Sequence, residues 1–472
     1  MNSLAQFGVV GLGVMGKSLA LNLSEKGIKV SVFNRHVTGS EENIAVNFVK
    51  EQSVKGAMNG FDDLKAFVTS LEKPRKILLM IQAGYAVDQQ LEQLLPVLDR
   101  GDIIIDGGNS FYKDTNKRTK QLNEVGIHFV GTGISGGEEG ARNGPSIMPG
   151  GDKDAYEKIS SYLKLIAAKD KQGKSCVTYI GGEGAGHFVK MVHNGIEYAE
   201  MQILTEVYFL LRYYSLSSAE KIADLFSQWQ HEGLNSYLLE ITIDILRKKE
   251  DGDLLLDKIL DKAAQKGTGG WSTTAAMDLG VPFSTVSEAV MARALSSFKS
   301  YRQKISSSYN SHSPTAHNLK DSLSDKIKNA YKAARIINHE TGFHLLKEAS
   351  AQYKWNLNLS EIARIWTNGC IIRSELMEQI ATTFLKEDSI VLAPSFMKEL
   401  IDAQKDFSQI VTIGLSNDIA LPVLSSALNY YLGLKTLNSG ANLIQAQRDY
   451  FGAHTYQRID TPDKYFHTQW KN

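Results

Sequence analysis

The segment 184–201 carries four side chains capable of chemistry at helical spacing. At about 100° per residue, Lys190, His193, Asn194 and Glu197 fall within a roughly 100° arc of a helix. The opposite face is apolar and consists of Phe188, Val189, Val192, Ile196 and Ala199. Ionisable groups inside a protein are paired, neutralised or functional. The pattern therefore favours a buried functional site, and the alternative on this segment alone is a solvated polar face with a salt bridge.

An alternating stretch from residue 6 to about 183 precedes this helix and must position it. Short apolar runs alternate there with amphipathic segments, which predicts a parallel, doubly wound α/β sheet of the Rossmann-like type. The expected strands are Phe7–Gly11, Val30–Phe33, Ile77–Ile81, Ile103–Asp106, Phe129–Gly131 and Cys176–Ile180.

From residue 184 onward the chain changes to helical periodicity with few strand signals. The predicted helical segments are 184–214, 217–230, 234–249, 284–306 and 322–352. We therefore predict a Rossmann-like α/β domain at 1–183, a large all-α domain at 184–437 and an extended, irregular C-terminal tail at 438–472. The serine-rich segment 306–316 is expected to be a surface loop.

Composition excludes several classes of protein. The 472 residues are too many for one ordinary core, and 52 basic residues balance 52 acidic ones, so no overall charge attracts nucleic acid or an anionic membrane. Two cysteines, Cys176 and Cys370, provide no disulfide framework. The start of the chain lacks a signal-peptide pattern, and no apolar run approaches the ~18 residues of a membrane span. We expect a cytoplasmic protein.

A glycine-rich turn follows the first predicted strand and opens a helix. It comprises Gly11, Leu12, Gly13, Val14, Met15 and Gly16. A GxGxxG sequence in this position permits a tight turn and close approach of a dinucleotide pyrophosphate. The alternative is a packing turn without a ligand.

The end of the second predicted strand indicates which dinucleotide binds. An NAD site normally has Asp or Glu there, whereas this chain has Asn34, Arg35 and His36. Arg35 is placed to bind a 2′-phosphate and His36 to add a donor, which favours NADP over NAD. The alternative is that Arg35 is a loop cation without a ligand.

Three further loops follow predicted strands, at the edge where open parallel sheets bind ligands. They contain Ile81, Gln82 and Ala83, then Asn109, and then Ser135, Gly136 and Gly137. Each loop alone is an ordinary turn. Together with the dinucleotide turn, they favour a hydride-transfer site.

Five motifs resemble those of the decarboxylating 6-phosphogluconate dehydrogenases, a family within the wider 3-hydroxyacid dehydrogenase group. They read GLGVMG, DGGN, GISGGEEGAR, GHFVKMVHNGIEY and LIQAQRDYFGAHTY, and the resemblance runs from about residue 7 to 467. It implies conversion of 6-phosphogluconate and NADP⁺ into ribulose 5-phosphate, CO₂ and NADPH without a metal.

The resemblance also implies roles for individual residues. Lys190 would be the general base and Glu197 the acid that protonates the enediol. His193, Asn194, Asn109, Ser135, Gly136 and Gly137 would orient the substrate. Tyr198, Lys266, Thr268 and Arg293 would bind its phosphate, and Arg448 and His454 would complete that pocket in the neighbouring subunit of an obligatory homodimer. NADP would lie on Gly11–Gly16, Asn34–His36, Ile81–Ala83 and Asn109.

The chemistry expected of Lys190 and Glu197 agrees with these roles. A lysine acts as a base only when neutral and a glutamate as an acid only when protonated, so the site must lower the first pKa and raise the second. A helix rises about 1.5 Å per residue, which puts the two residues about 10 Å apart along the axis, within converging reach of neighbouring carbons. No compact cluster of metal-ligating residues is evident.

The chain departs from the family pattern at four places. His36 replaces the usual Thr or Ser, Gly270 replaces a Lys, Asn235 replaces an Asp, and 338–343 reads NHETGF in place of SYAQGF. The last change predicts altered helix packing. Two other functions stay open on sequence alone: a dehydrogenase of a smaller 3-hydroxy acid, and a catalytically silent NADP-binding sensor.

Overall fold

The computed structural model describes residues 4–52, 58–215, 217–265, 267–309 and 322–471. Part of the predicted loop 306–316, together with Lys266, lies outside these described residues. Within them, no helix has both the length and the apolar character needed to cross a membrane.

A seven-stranded sheet organises the first part of the chain, in the order β3-β2-β1-β4-β5-β6-β7. Six strands are parallel, and β7 pairs antiparallel with β6. The strands are β1 Phe7–Val10, β2 Val30–Phe33, β3 Met58–Phe61, β4 Lys76–Leu79, β5 Ile103–Asp106, β6 His128–Ser135 and β7 Ser146–Gly151. The predicted Rossmann-like fold class is confirmed.

The predicted set of strands needs three corrections, because two strands were missed and one prediction was wrong. Strands β3 (MNGF) and β7 (SIMPGG) were not predicted, because Asn, Gly and Pro are poor strand formers that edge positions tolerate. The prediction of a strand at Cys176–Ile180 was wrong. That segment runs beside β7 and forms one isolated bridge, between Val177 and Ile147.

Helices cover both faces of the sheet. Alternate residues of a strand point to opposite faces, so Val9 joins one apolar cluster and Val10 the other. The helices are α1 Val14–Glu25, α2 Ile44–Glu51, α3 Leu64–Thr69, α4 Tyr85–Leu94, α5 Tyr112–Glu124, α6 Gly137–Asn143 and α7 Lys153–Ile166. A 3₁₀ turn, Leu95–Val97, follows α4.

The rest of the chain is largely helical and packs around α8, Ala185–Phe209, which contacts α12, α13 and α15. Most of α8 is buried. The remaining helices are α9 Ala219–Trp229, α10 Tyr237–Arg247, α11 Leu255–Lys258, α12 Thr268–Asp278, α13 Ser284–Ser297, α14 Lys299–Ser308, α15 Ser322–Tyr353, α16 Leu359–Ile365, α17 Glu375–Thr383, α18 Pro394–Ser416, α19 Pro422–Lys435 and α20 Ala441–Gly452. π-helical turns at 210–214 and 230–234 extend α8 and α9, and a small hairpin joins β8 Lys249–Glu250 to β9 Asp253–Leu254.

The C-terminal tail is more regular than its sequence indicates. Besides α20 it contains an antiparallel hairpin of β10 Tyr456–Arg458 and β11 Thr461–Phe466. The buried carboxylate of Asp449 organises both parts by accepting hydrogen bonds from the backbone of Thr455 and Thr468 and from Trp470 Nε1. The prediction of an irregular tail was therefore wrong.

A buried ion pair fixes α8 against α15. Arg335 Nε donates to Glu200 Oε2 at 2.7 Å, and Asn338 Nδ2 donates to the other carboxylate oxygen at 3.1 Å and to the Ile196 carbonyl at 3.1 Å. Arg335 and Glu200 are both almost fully buried. Asn338 begins the NHETGF segment, so this departure from the family pattern lies at the contact between α15 and α8.

We predict that Arg335→Met destabilises the protein by about 3–5 kcal/mol, because it leaves the Glu200 carboxylate buried without its cation. Equilibrium denaturation in urea measures the change. The control is Lys332→Met on the same helix, which breaks a partly exposed ion pair with Glu399. For this variant we expect a loss of stability of only about 0–1 kcal/mol. Equal losses in the two variants would contradict the prediction.

Candidate functional site

Three of the four polar residues that the sequence singles out on α8 are buried inside the protein, and the fourth, Glu197, is partly buried. Lys190 is 7% exposed and His193 fully buried, Asn194 is also buried, and the Glu197 side chain keeps an exposed fraction of 20%. The described structure therefore does not fit a solvated polar face. Its helix begins where the chain leaves the sheet, so these side chains lie between the sheet and the helical body.

Glycine allows the sheet to approach Lys190 directly. Gly133 lies in β6, and a Cβ added there would overlap the Cβ of Lys190. Strand β6 continues to Ser135, beyond the predicted end at Gly131, and so carries Ser135 to the same place. The sequence contained Gly133 within a recognised loop but gave no sign of this contact.

His193 is held at both ring nitrogens. Its Nδ1 lies 3.2 Å from Asn194 Oδ1 and its Nε2 lies 3.1 Å from Ser135 Oγ. Since an amide oxygen only accepts, Nδ1 carries the proton and Nε2 accepts from the Ser135 hydroxyl. Burial and the nearby charge of Lys190 hold the pKa of His193 well below its ordinary value, which keeps the ring neutral. The indole of Trp366 packs edge-on against this ring, a contact that sequence reasoning missed.

Lys190 and Glu197 have pKa values displaced toward each other. Burial lowers the pKa of Lys190, against the attraction of Glu197, and burial raises the pKa of Glu197, against the charges of Lys190 and Arg293. Glu197 Oε2 also lies 3.8 Å from His193 Nδ1. A neutral amine and a protonated carboxyl on one face are the states that general base and general acid catalysis require.

A second polar group surrounds Tyr198, the residue that follows Glu197 on α8. The Arg293 guanidinium is 3.5 Å from the centroid of the Tyr198 ring, and that ring packs against Gly269 at the start of α12. The first residue of α12 is Thr268, which is buried. A helix N-terminus beside an arginine attracts anions. Lys266 was predicted to join this group and lies outside the described residues.

The glycine turn has the geometry that a dinucleotide requires. Gly11 has a φ of +91°, and a Cβ there would lie 2.6 Å from the Met80 carbonyl oxygen. A Cβ on Gly16 would overlap the Gly11 carbonyl oxygen, whereas the space around Gly13 is open. Val14 is exposed, Met15 is half-buried, and the turn leads directly into α1. The residues present therefore fit a pyrophosphate lying against this turn.

Asn34 joins the end of β2 to the glycine turn. Its Oδ1 accepts a hydrogen bond from the Leu12 backbone N–H at 3.1 Å. Arg35 and His36 follow as exposed residues. The structure pairs Arg35 with Glu41, a residue that sequence analysis did not identify.

The remaining strand-end residues lie at the same edge of the sheet. Ile81, Gln82 and Ala83 follow β4, and Asn109 follows β5 as an exposed residue. The carboxylate of Asp106 shapes the second loop by accepting from Gly108 N at 3.0 Å and from the Ser110 hydroxyl at 2.6 Å. Gly136 and Gly137, with φ of +120° and +62°, turn the chain from β6 into α6.

Arg448 and His454 are not brought to the α8 site of their own chain. Arg448 Nη1 donates a hydrogen bond to Gln445 Oε1, and the His454 ring packs against Phe451. Both contacts therefore lie within the tail. The tail also exposes large apolar side chains, among them Leu443, Ile444, Phe451, Ile459 and Tyr465, and Leu437 just before it is exposed as well. Among the described residues, no three His, Cys, Asp or Glu side chains are grouped to hold a metal ion.

Comparison with known proteins covers nearly the whole chain. The model of the NAD binding domain of 6-phosphogluconate dehydrogenase matches residues 6–181, and the model of the C-terminal domain of 6-phosphogluconate dehydrogenase matches residues 186–470. A NADP(+)-dependent, decarboxylating 6-phosphogluconate dehydrogenase of Bacillus subtilis is 46% identical over 99% of both chains. The decarboxylating enzyme of Escherichia coli K12 is also 46% identical over 99% of both.

A solved structure has the same fold. The 6-phosphogluconate dehydrogenase of Plasmodium falciparum, described in its apo form and in complexes with NADP+ and with 6-phosphogluconate, superposes with a TM-score of 0.91. The two chains are 39% identical, and the match covers 98% of this chain and 100% of that one.

We predict that Gly133→Ala lowers stability by about 1–3 kcal/mol and slows cofactor reduction, because the new methyl group displaces Lys190 or α8. Thermal unfolding and steady-state rates measure the two effects. Gly182→Ala is the matched control, since no heavy atom lies within 4 Å of its added Cβ. If Gly133→Ala behaves like this control, the close contact does not position Lys190.

Proposed function

This chain belongs to the 6-phosphogluconate dehydrogenase family, and from this premise we propose how it converts 6-phosphogluconate to ribulose 5-phosphate. The reaction reduces NADP⁺ to NADPH and releases CO₂. The observation that carries the proposal is the pair of Lys190 and Glu197, buried on one face of α8 with oppositely displaced pKa values. The relatives that match this chain over nearly its whole length favour this reaction. They do not favour oxidation of a smaller 3-hydroxy acid, or a catalytically silent protein that senses NADP.

Lys190 is the general base of the oxidation. Bound NADP⁺ supplies the acceptor for the hydride that leaves C3 of the substrate. The neutral amine of Lys190 takes the proton of the C3 hydroxyl, so that C3 becomes a ketone. The lowered pKa of Lys190 supports this role, because an ammonium group has no lone pair to accept a proton.

Lys190 and Glu197 act again in the decarboxylation. The ammonium of Lys190 now donates to the C3 ketone oxygen, which takes up the electrons of the breaking C1–C2 bond as CO₂ leaves. Glu197 then protonates the enediol at the carbon that becomes C1 of ribulose 5-phosphate, while the Lys190 amine takes back the hydroxyl proton from the carbon that becomes the C2 ketone. The raised pKa of Glu197 supports this role because it favours the protonated carboxyl that donates in that step.

The surrounding residues orient the substrate. His193, Asn194, Asn109, Ser135, Gly136 and Gly137 bind its carboxylate and hydroxyl groups in this proposal. The neutral His193 ring, held between Asn194 and Ser135, supports an orienting role over a proton-transfer role. Tyr198, Lys266, Thr268 and Arg293 bind the distal phosphate in this proposal. It is supported by the Tyr198 ring, which contacts both Arg293 and the first turn of α12.

NADP would be held at the carboxyl edge of the sheet. The turn from Gly11 to Gly16 would hold its pyrophosphate, Asn34, Arg35 and His36 would hold its 2′-phosphate, and the loop 81–83 and Asn109 would hold its nicotinamide end. The open space at Gly13 supports the first contact.

A cytoplasmic location completes the proposal, in keeping with two free, buried cysteines.

The tail completes the site of a second subunit. We propose domain limits at 183/184 and 437/438 and an obligatory homodimer, in which Arg448 and His454 reach the partner's phosphate site. The apolar side chains exposed along 437–465 support an interface between copies. The hydrogen bonds of the tail to itself around Asp449 support a preformed arm.

The reaction is tested by measuring NADPH and CO₂ together, from 6-phosphogluconate and NADP⁺. We expect the two products in equal amounts, since oxidation and decarboxylation follow one another at the same site. NADPH without CO₂ would indicate a simple hydroxyacid dehydrogenase. Neither product, from folded protein that still binds NADP, would overturn the proposed function.

Mixed dimers test the shared site. Lys190→Met and Arg448→Ala subunits carrying different tags are co-expressed, and the mixed dimers are isolated by sequential affinity steps. If Arg448 serves the partner, one of the two sites is intact, so we expect about half the wild-type rate per dimer. If Arg448 serves its own chain, both sites are damaged and the mixed dimer is no more active than the Arg448→Ala homodimer.

A further inference from the structure

Residues 34–36, which follow β2, include no acidic residue, but the next turn of the chain brings the carboxylate of Glu41 beside Arg35. Glu41 Oε1 accepts from Arg35 Nη2 at 2.9 Å, and Oε2 accepts from Arg35 Nε at 3.3 Å and from Asn34 Nδ2 at 3.0 Å. Glu41 therefore contacts two of the three residues after β2 that the sequence indicates for the 2′-phosphate, Asn34 and Arg35. Six residues separate it from Arg35, so no short motif reveals the contact.

This carboxylate is held by a closed turn. The backbone N–H of Val37 donates to the Glu41 carbonyl at 2.9 Å, and that of Glu41 donates back to the Val37 carbonyl at 2.8 Å. Asn34 connects the group to the glycine turn through Leu12 N. The Arg35 side chain is 70% exposed and that of Glu41 35%, so a ligand at the glycine turn can reach both.

Arginine and carboxylate favour different cofactors at this position. In Rossmann-type folds, an acidic residue at the end of the second strand binds the 2′-hydroxyl of NAD, whereas an arginine accommodates the 2′-phosphate of NADP. The charge of a 2′-phosphate is attracted by Arg35 and repelled by Glu41. A 2′-hydroxyl has no such conflict and can donate to the carboxylate.

We propose that Glu41 is a specificity-determining residue that weakens the preference of this enzyme for NADP over NAD. Glu41 engages two of the three guanidinium nitrogens of Arg35 and offsets its charge, which reduces the advantage that the arginine provides to a 2′-phosphate. Binding of NAD leaves the Glu41–Arg35 pair in place and adds a hydrogen bond from the ribose hydroxyl. This inference rests on the NADP site of the proposed function.

The test replaces Glu41 by its neutral isostere. In Glu41→Gln we expect the ratio of kcat/KM for NADP to that for NAD to rise about two- to fivefold, as for loss of an exposed charge contact. Glu42→Gln is the matched control, because Glu42 lies in the same turn and accepts from Gly39 N, away from Arg35. An unchanged ratio in Glu41→Gln, or an equal change in both variants, would overturn the proposal.

Binding of cofactor fragments separates this inference from the reaction. Calorimetry with adenosine 2′,5′-bisphosphate and with 5′-AMP reports the contact without any turnover. We expect Glu41→Gln to strengthen binding of the bisphosphate and leave AMP unchanged or weaker, even if 6-phosphogluconate proves not to be the substrate. Weaker binding of the bisphosphate would overturn the proposal, since Glu41 would then be orienting Arg35 for the phosphate.

Discussion

The close contact between α8 and the sheet is the constraint on which the rest of this structure depends. A Cβ on Gly186 would overlap the carbonyl oxygens of Gly131 and Met148, and one on Gly133 would overlap Lys190. Because these positions are glycine, the first turns of α8 lie directly on β6 and β7. The side chain of Lys190 is thereby placed at the edge of the sheet where Rossmann-type folds bind their ligands.

Two carboxylates on α8 show how environment separates structural from chemical roles. Glu200 accepts from Arg335 and Asn338, so its buried charge is matched and joins α8 to α15. Glu197, one turn earlier, has a raised pKa because burial outweighs the attraction of Lys190. The same helix therefore contains a carboxylate that joins it to α15 and an acid–base pair that burial drives toward neutrality.

Much of the fold followed from sequence periodicity, and the exceptions have physical causes. The buried strands β1, β2, β4 and β5 are rich in β-branched and apolar residues and were predicted within a few residues. The edge strands β3 and β7 contain Asn, Gly and Pro, which carry no strand signal. The regular structure of the tail depends on Asp449, whose partners are up to 21 residues away.

The sequence by itself determined which residues share the polar face of α8, where the dinucleotide turn lies, and which charges follow β2. These are properties of spacing along one element. Tertiary structure alone decided that the polar face is buried, that Gly133 touches Lys190, and that Glu41 pairs with Arg35. Burial and pairing depend on which segments meet in space, and spacing along the chain does not contain that information.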